Sequence, residues 1–540
     1  MHKSNDKAGL ALAVVLAAPA LLGGQTDAAA PYPVAERSIS QLQADLQAGR
    51  VTSEALVRAY LARIRAIDRA GPRLHSVIAL NPRALADARR SDAARRRHQV
   101  RGPLEGIPLL VKDNIETDDG TATTAGSLAL KDNITHRDAP VARRLKDAGA
   151  IIIGKTNLSE WANIRSSQSI SGWSAIGGLV KNPYVLDRGA CGSSAGTGTA
   201  IAASLAAAGV GTETDGSVTC PSSINGLVGL KPTVGLVSRT HIVPISHSQD
   251  TAGPMTRDVE DAALLLTAMA GSDPADPATK DADAHRADYS AGLATADLKG
   301  KRLGVLRYAT GLSTDVDAVF DKALAVLKAR GAVIVEIKDY KPPSELGDKE
   351  LVVLNTELKA DLNAYLATTP DTVKTRTLAD VIAFNTATPR ELALFGQDIF
   401  EQAEQAKGLD DPAYLAARAD GRRMAGPEGI DKLIADNHLD ALISPSYGPS
   451  ARIDLATGDH VGGRSSTLAA VSGYPHLTVP MGQVDGLPVG LSFIGPAWSE
   501  ARLLALGYAY EQASHARKPP TYIPSLEATT AAKAAFAPVK

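Results

Sequence analysis

Between Arg188 and Ser238 the chain reads RGACGSSAGTGTAIAASLAAAGVGTETDGSVTCPSSINGLVGLKPTVGLVS. No other stretch restricts the possible folds as strongly. It is crowded with Gly, Ser and Thr, yet the run from Ala200 to Val210 is apolar enough to be buried. A flexible Gly/Ser linker lacks such a run, so this segment is expected inside the molecule. Small residues let backbone approach backbone or ligand closely, and glycine reaches conformations that other residues avoid. Hydroxyls set among them, beside the carboxylate of Asp215, make a candidate for nucleophilic catalysis.

Two hydroxyl-bearing elements bracket the apolar run. Gly192-Ser193-Ser194-Ala195-Gly196 follows Cys191, and Thr214-Asp215-Gly216-Ser217 leads on to Gly229-Leu230-Lys231-Pro232-Thr233. Upstream, in LEGIPLLVKDNIET, Lys112 ends an apolar run, Ile107 to Val111, that reads as a buried strand. A buried ammonium is costly and tends to shed its proton. Snorkelling from a strand end to solvent is the other reading of such a lysine.

Taken together, these motifs resemble the amidase signature family of serine hydrolases. Its G-S-S-x-G and T-D-G-S elements are matched, and Pro108, Lys112, Asp113 and Asn114 match its P-x-x-x-K-D-N. Ser193 and Ser217 stand 24 positions apart, the separation that family shows between its bridging serine and its nucleophile. Cys191 and Ala195 stand where the family more often has glycine, a small-for-small departure. The resemblance implies an α/β fold: one large domain over 31–540, a mixed, largely parallel sheet core surrounded by helices. Lys112, Ser193 and Ser217 are the implied catalytic residues, with Ser193 in a cis peptide. Backbone N–H groups of Thr214, Asp215, Gly216 and Ser217 are the implied oxyanion hole, and Asp215 is expected to orient the loop and the lysine region by hydrogen bonding. Asp215 also suits the acid of a Ser-His-Asp triad, for which folding would have to bring in His241 or His247. The lysine argues against that.

For the substrate, Leu158-Ser159-Glu160-Trp161-Ala162-Asn163 and Ser171-Gly172-Trp173-Ser174 resemble the bacterial peptide amidase branch, which implies C-terminal amides of peptides. Thr124, Gly126, Ser127 and Trp173 are candidate substrate contacts, although core packing is an equal reading of the tryptophans. Small-molecule or aryl amides are the alternative substrates. A non-catalytic binding protein on the same fold is the alternative of another class, and it would not need all three catalytic residues.

Net charge is −2, with no long basic run, so nucleic acid is not an expected partner. The histidines are scattered with no HExxH or CxxC, so neither a metal nor a cofactor is expected. His2, Lys3 and Lys7 precede the apolar run Leu10 to Leu22 and then Ala28-Ala29-Ala30. This is the layout of a signal peptide over 1–30, which predicts export to a periplasm or beyond and no membrane association after processing. Cys191 and Cys220, the only cysteines, are a candidate pair in an exported chain; two small buried residues is the other reading.

Helical periodicity covers Ser38 to Ala66, with a capping start at Thr52-Ser53-Glu54. Strands are expected at Ser76–Leu80, Leu109–Val111 and Ala150–Ile153, and a helix at Ala139–Ala148. A catalytic core over about 76–260 is followed by an αβ unit from Lys301. The segment about 340–430 is helical, charged and without family landmarks, and is expected to form a wall or lid over the cleft. The core resumes over 436–520.

Overall fold

In this computed structural model residues 32–460, 462–463, 465–529 and 532–533 are described; the expected leader lies outside them. The strands are, in order, β1 Val77–Leu80, β2 Pro108–Lys112, β3 Ile151–Thr156, β4 Trp173–Ser174, β5 Gly178–Leu179, β6 Ala208–Glu213 and β7 Val228–Lys231. Then come β8 Thr251–Thr256, β9 Arg302–Leu306, β10 Val333–Ile337, β11 Ala441–Pro445, β12 His476–Val484 and β13 Leu487–Ile494. Eleven of them form one sheet in the order β1-β3-β2-β6-β8-β7-β12-β13-β11-β9-β10; β4 and β5 pair only with each other. Parallel ladders join β3, β2 and β6 on one side and β11, β9 and β10 on the other. The strands between, and the edge strand β1, pair antiparallel.

Every residue of β2, β3 and β6 is buried, as expected where helices cover both faces of a parallel ladder. This is why Leu109-Leu110-Val111 reads as unbroken apolar sequence rather than as alternation. The helix Pro140–Asp147 opens on a proline, which loses nothing at a first turn, and feeds β3.

The periodic stretch after Ser38 is two helices. Ile39–Gln47 is capped by Ser38, and Ser53–Arg63 by Thr52, whose side chain accepts from Ala55 N. The second runs on as a π-helical turn, Ile64–Arg69. The capping start at Thr52 therefore overrides the continuous periodicity.

The segment after Tyr340 folds into helices Leu346–Leu366, Leu378–Ala387, Asp398–Glu404 and Pro412–Ala425. Leu358, Leu362, Leu378, Val381 and Phe400 form a core with Leu130 and Trp161, which docks these helices against the segments on either side of β3. Among the described residues no helix is long and apolar enough to cross a membrane.

Candidate active site

The site lies where β2 and β6, adjacent and parallel, end side by side. Their register pairs Val111 with Val210, and just beyond that pair the Lys112 side chain reaches Thr212. Lys112 Nζ donates to Ser193 Oγ at 2.7 Å and to Thr212 Oγ1 at 2.9 Å, with Thr212 O at 3.3 Å. Lys112 is fully buried, so burial pushes its pKa down to about 7; Asp250 and Glu213 oppose the shift.

Ser193 follows a cis Gly192–Ser193 peptide and precedes the helix Ala195–Ala202. Ser194 ties this corner to β6. Its hydroxyl donates to Thr212 O at 3.1 Å and accepts from Thr212 N at 3.2 Å, and its N–H donates to Ser217 O at 3.2 Å. Gly192 has no room for a side chain, since a Cβ would stand 2.2 Å from Ser159 Oγ.

The loop Thr214–Ser217 leaves β6 and enters the helix Thr219–Ile224. Glu213 folds back over that helix start, accepting from Val218 N at 2.7 Å and Thr219 N at 2.8 Å. The loop arches over this contact, and the N–H groups of Asp215, Gly216 and Ser217 find no acceptor among the described residues. Such free donors, beside Ser217, are what a developing oxyanion needs. Gly216 sits at φ +83, and a Cβ there would approach Tyr447 Oη to 2.4 Å. The cleft in front has a volume of about 420 Å³. Ser217, Gly216, Tyr447 and Ser466 line it, together with Leu351, Leu354 and Ile399 of the helical segment.

Cys191 and Cys220 form a disulfide with Cα atoms 6.1 Å apart, which resolves the alternative left open by the sequence. Asp215 does not orient the lysine region; its Oδ2 accepts from Thr467 Oγ1 at 2.9 Å and ties the loop to the C-terminal core. His247 bonds Asp361 at 2.9 Å and lies 3.2 Å from Glu357, and His241 lines a separate cavity of about 400 Å³, so neither histidine completes a triad with Asp215.

None of the four candidate substrate contacts lines the cleft. Thr124 is held by Asp113, toward which its hydroxyl donates. Gly126 N donates to Thr124 Oγ1 at 2.9 Å, and Ser127 Oγ donates to Glu391 at 3.1 Å. Trp173 packs edge-on against Phe395, centroids 5.3 Å apart, next to the buried Arg165 guanidinium. Their hydrogen-bonding and packing capacity is taken up by these partners. What does line the cleft nearby is Ala162-Asn163-Ile164, with Ala162 and Asn163 at positive φ. Sequence reasoning missed Thr212, because strand alternation alone does not aim it at Lys112. It also missed Leu351 and Leu354, which no motif marks.

The Amidase family model matches residues 55–504, and the chain belongs to this family. It is similar to the native peptide amidase of Stenotrophomonas maltophilia, at 50% identity and TM-score 0.85, covering 91% of this chain and 100% of that one. A structure of peptide amidase PAM with the competitive inhibitor chymostatin is similar at 52% identity and TM-score 0.87, covering 91% and 100%. A probable amidase of Arabidopsis thaliana is 39% identical, over 91% of this chain and 93% of that protein.

Proposed function

We propose that this amidase hydrolyses the C-terminal carboxamides of peptides, releasing ammonia, by a Lys112–Ser193–Ser217 relay and an acyl-enzyme. The observation that carries the reading is the 2.7 Å contact between Ser193 Oγ and a desolvated Lys112 Nζ. Neutral Lys112 takes the proton of Ser193 as Ser193 takes that of Ser217, and Ser217 attacks the carbonyl. The oxyanion forms against the loop N–H groups. Return of the proton through Ser193 lets ammonia leave, and water then releases the acid. The similarity to peptide amidase supports peptide amides as the substrate class.

Export is part of the proposal, and a disulfide beside the nucleophile supports it, because such bonds persist in oxidising compartments. A fluorophosphonate probe should label Ser217, and ammonia release should be faster from peptide amides than from small or aryl amides. Labelling with no ammonia from any peptide amide would remove the substrate assignment; no labelling of Ser217 would remove the nucleophile.

A further inference from the structure

Asp250 touches neither the nucleophile nor the lysine, yet the site is built on it. Its Oδ1 accepts from Thr214 Oγ1 at 2.6 Å, at the root of the loop that carries the free N–H donors. Its Oδ2 accepts from Ile245 N at 2.8 Å and Ser246 N at 2.9 Å. The preceding residue adds a second tie to the same root, since Gln249 Nε2 reaches Thr214 O at 3.4 Å.

The segment Ser246–Gln249 is itself fixed from the other side. Carboxylates of the helix Leu346–Leu366 accept from it in sequence. Gln249 Nε2 donates to Glu350 at 2.8 Å, Ser248 Oγ to Glu357 at 2.6 Å, and His247 N to Asp361 at 2.9 Å. Positions 350, 357 and 361 recur at helical spacing, so they form one stripe. The same helix presents Leu351 and Leu354 to the cleft.

We propose that Asp250 is a positioning residue that holds Thr214, and through it the loop before Ser217, in register with the wall helix and with Lys112. This rests on the amidase reading of the site. A loop whose donors must meet an oxyanion tolerates little displacement, since about 1 Å of misplacement can cost about a hundredfold in rate. Asp250 also acts on the lysine by charge. The charged groups bearing on Lys112 are Asp250 and Glu213, and both favour its protonated form. Facing Asp250 is Arg239, which is itself paired with Asp276.

The test is hydrolysis of a peptide amide across pH by wild type, Asp250→Asn, Thr214→Val and the double variant. Each single variant is expected to lower plateau kcat by about tenfold or more, with KM within about threefold. The double variant should be no slower than the worse single, because both break one contact. The acid limb of Asp250→Asn should move to lower pH, since a charge favouring protonated Lys112 is gone; that of Thr214→Val should stay. Multiplying losses, or an unmoved acid limb in Asp250→Asn, would overturn the proposal. If Asp250→Asn does not fold, Thr214→Val decides alone: a plateau kcat within about twofold of wild type overturns it. Failure of the wild type itself on every amide would instead sink the underlying activity.

Discussion

At Lys112 the oxygens within reach belong to Ser193 and Thr212, and none is a carboxylate. Without a countercharge in contact, desolvation dominates and the amine is neutral above a pH of about 7. Activity is therefore expected to fall as pH drops through about 7, because protonation removes the base. Lys112→Arg should be as inactive as Lys112→Ala, since guanidinium cannot accept the proton. Near-native amide hydrolysis by the Arg variant would show that another group takes the proton. Ser217→Ala should lose probe labelling and ammonia release while circular dichroism stays native; activity within about tenfold of wild type, roughly 1.4 kcal/mol in barrier, would show that another residue attacks. Gly216→Ala combines a left-handed φ with a steric clash at Tyr447 Oη. It should destabilise the protein by at least about 1–2 kcal/mol and lower kcat, read from denaturant unfolding and steady-state rates.

At the scale of elements, β2 and the loop were legible because their chemistry is local. An apolar run ending in lysine and a Gly-Ser-rich turn each demand a particular burial, and β2 and the loop Thr214–Ser217 deliver it. The wall was not legible in detail. Leu351 and Leu354 gain a role only because the helix Leu346–Leu366 docks through Leu358 and Leu362 on Trp161, a contact between residues nearly two hundred positions apart. Thr124, Gly126, Ser127 and Trp173 stand outside the cleft lining, since sequence adjacency to a cleft motif does not say which partners a side chain takes. Leu354→Ala is expected to lower kcat/KM by about tenfold for peptide amides ending in a bulky apolar residue, and little for acetamide. Equal losses on both substrates would mean that Leu354 supports the fold rather than the acyl side chain.

For the whole molecule, one sheet of eleven strands gathers the site from both halves of the chain. The lysine comes from β2, the two serines flank β6, and Thr467 steadies the loop from the C-terminal core. Removing the disulfide tests how far the covalent frame matters. Replacing both Cys191 and Cys220 by serine is expected to cost about 3–4 kcal/mol from lost loop closure, measured by chemical denaturation with and without reductant. Equal stability of variant and parent would show that packing alone holds the segment.

The position of that bond has a topological consequence. Cys191 and Cys220 close a covalent ring that contains Ser193, Thr212 and the loop Thr214–Ser217. Lys112 comes from outside the ring. A protease that cuts the backbone once within it leaves both serines on one connected molecule, which separates into two pieces only on reduction. A single cut elsewhere in the chain leaves two covalently separate pieces at once, so the segment with both serines is the one a first nick cannot split apart.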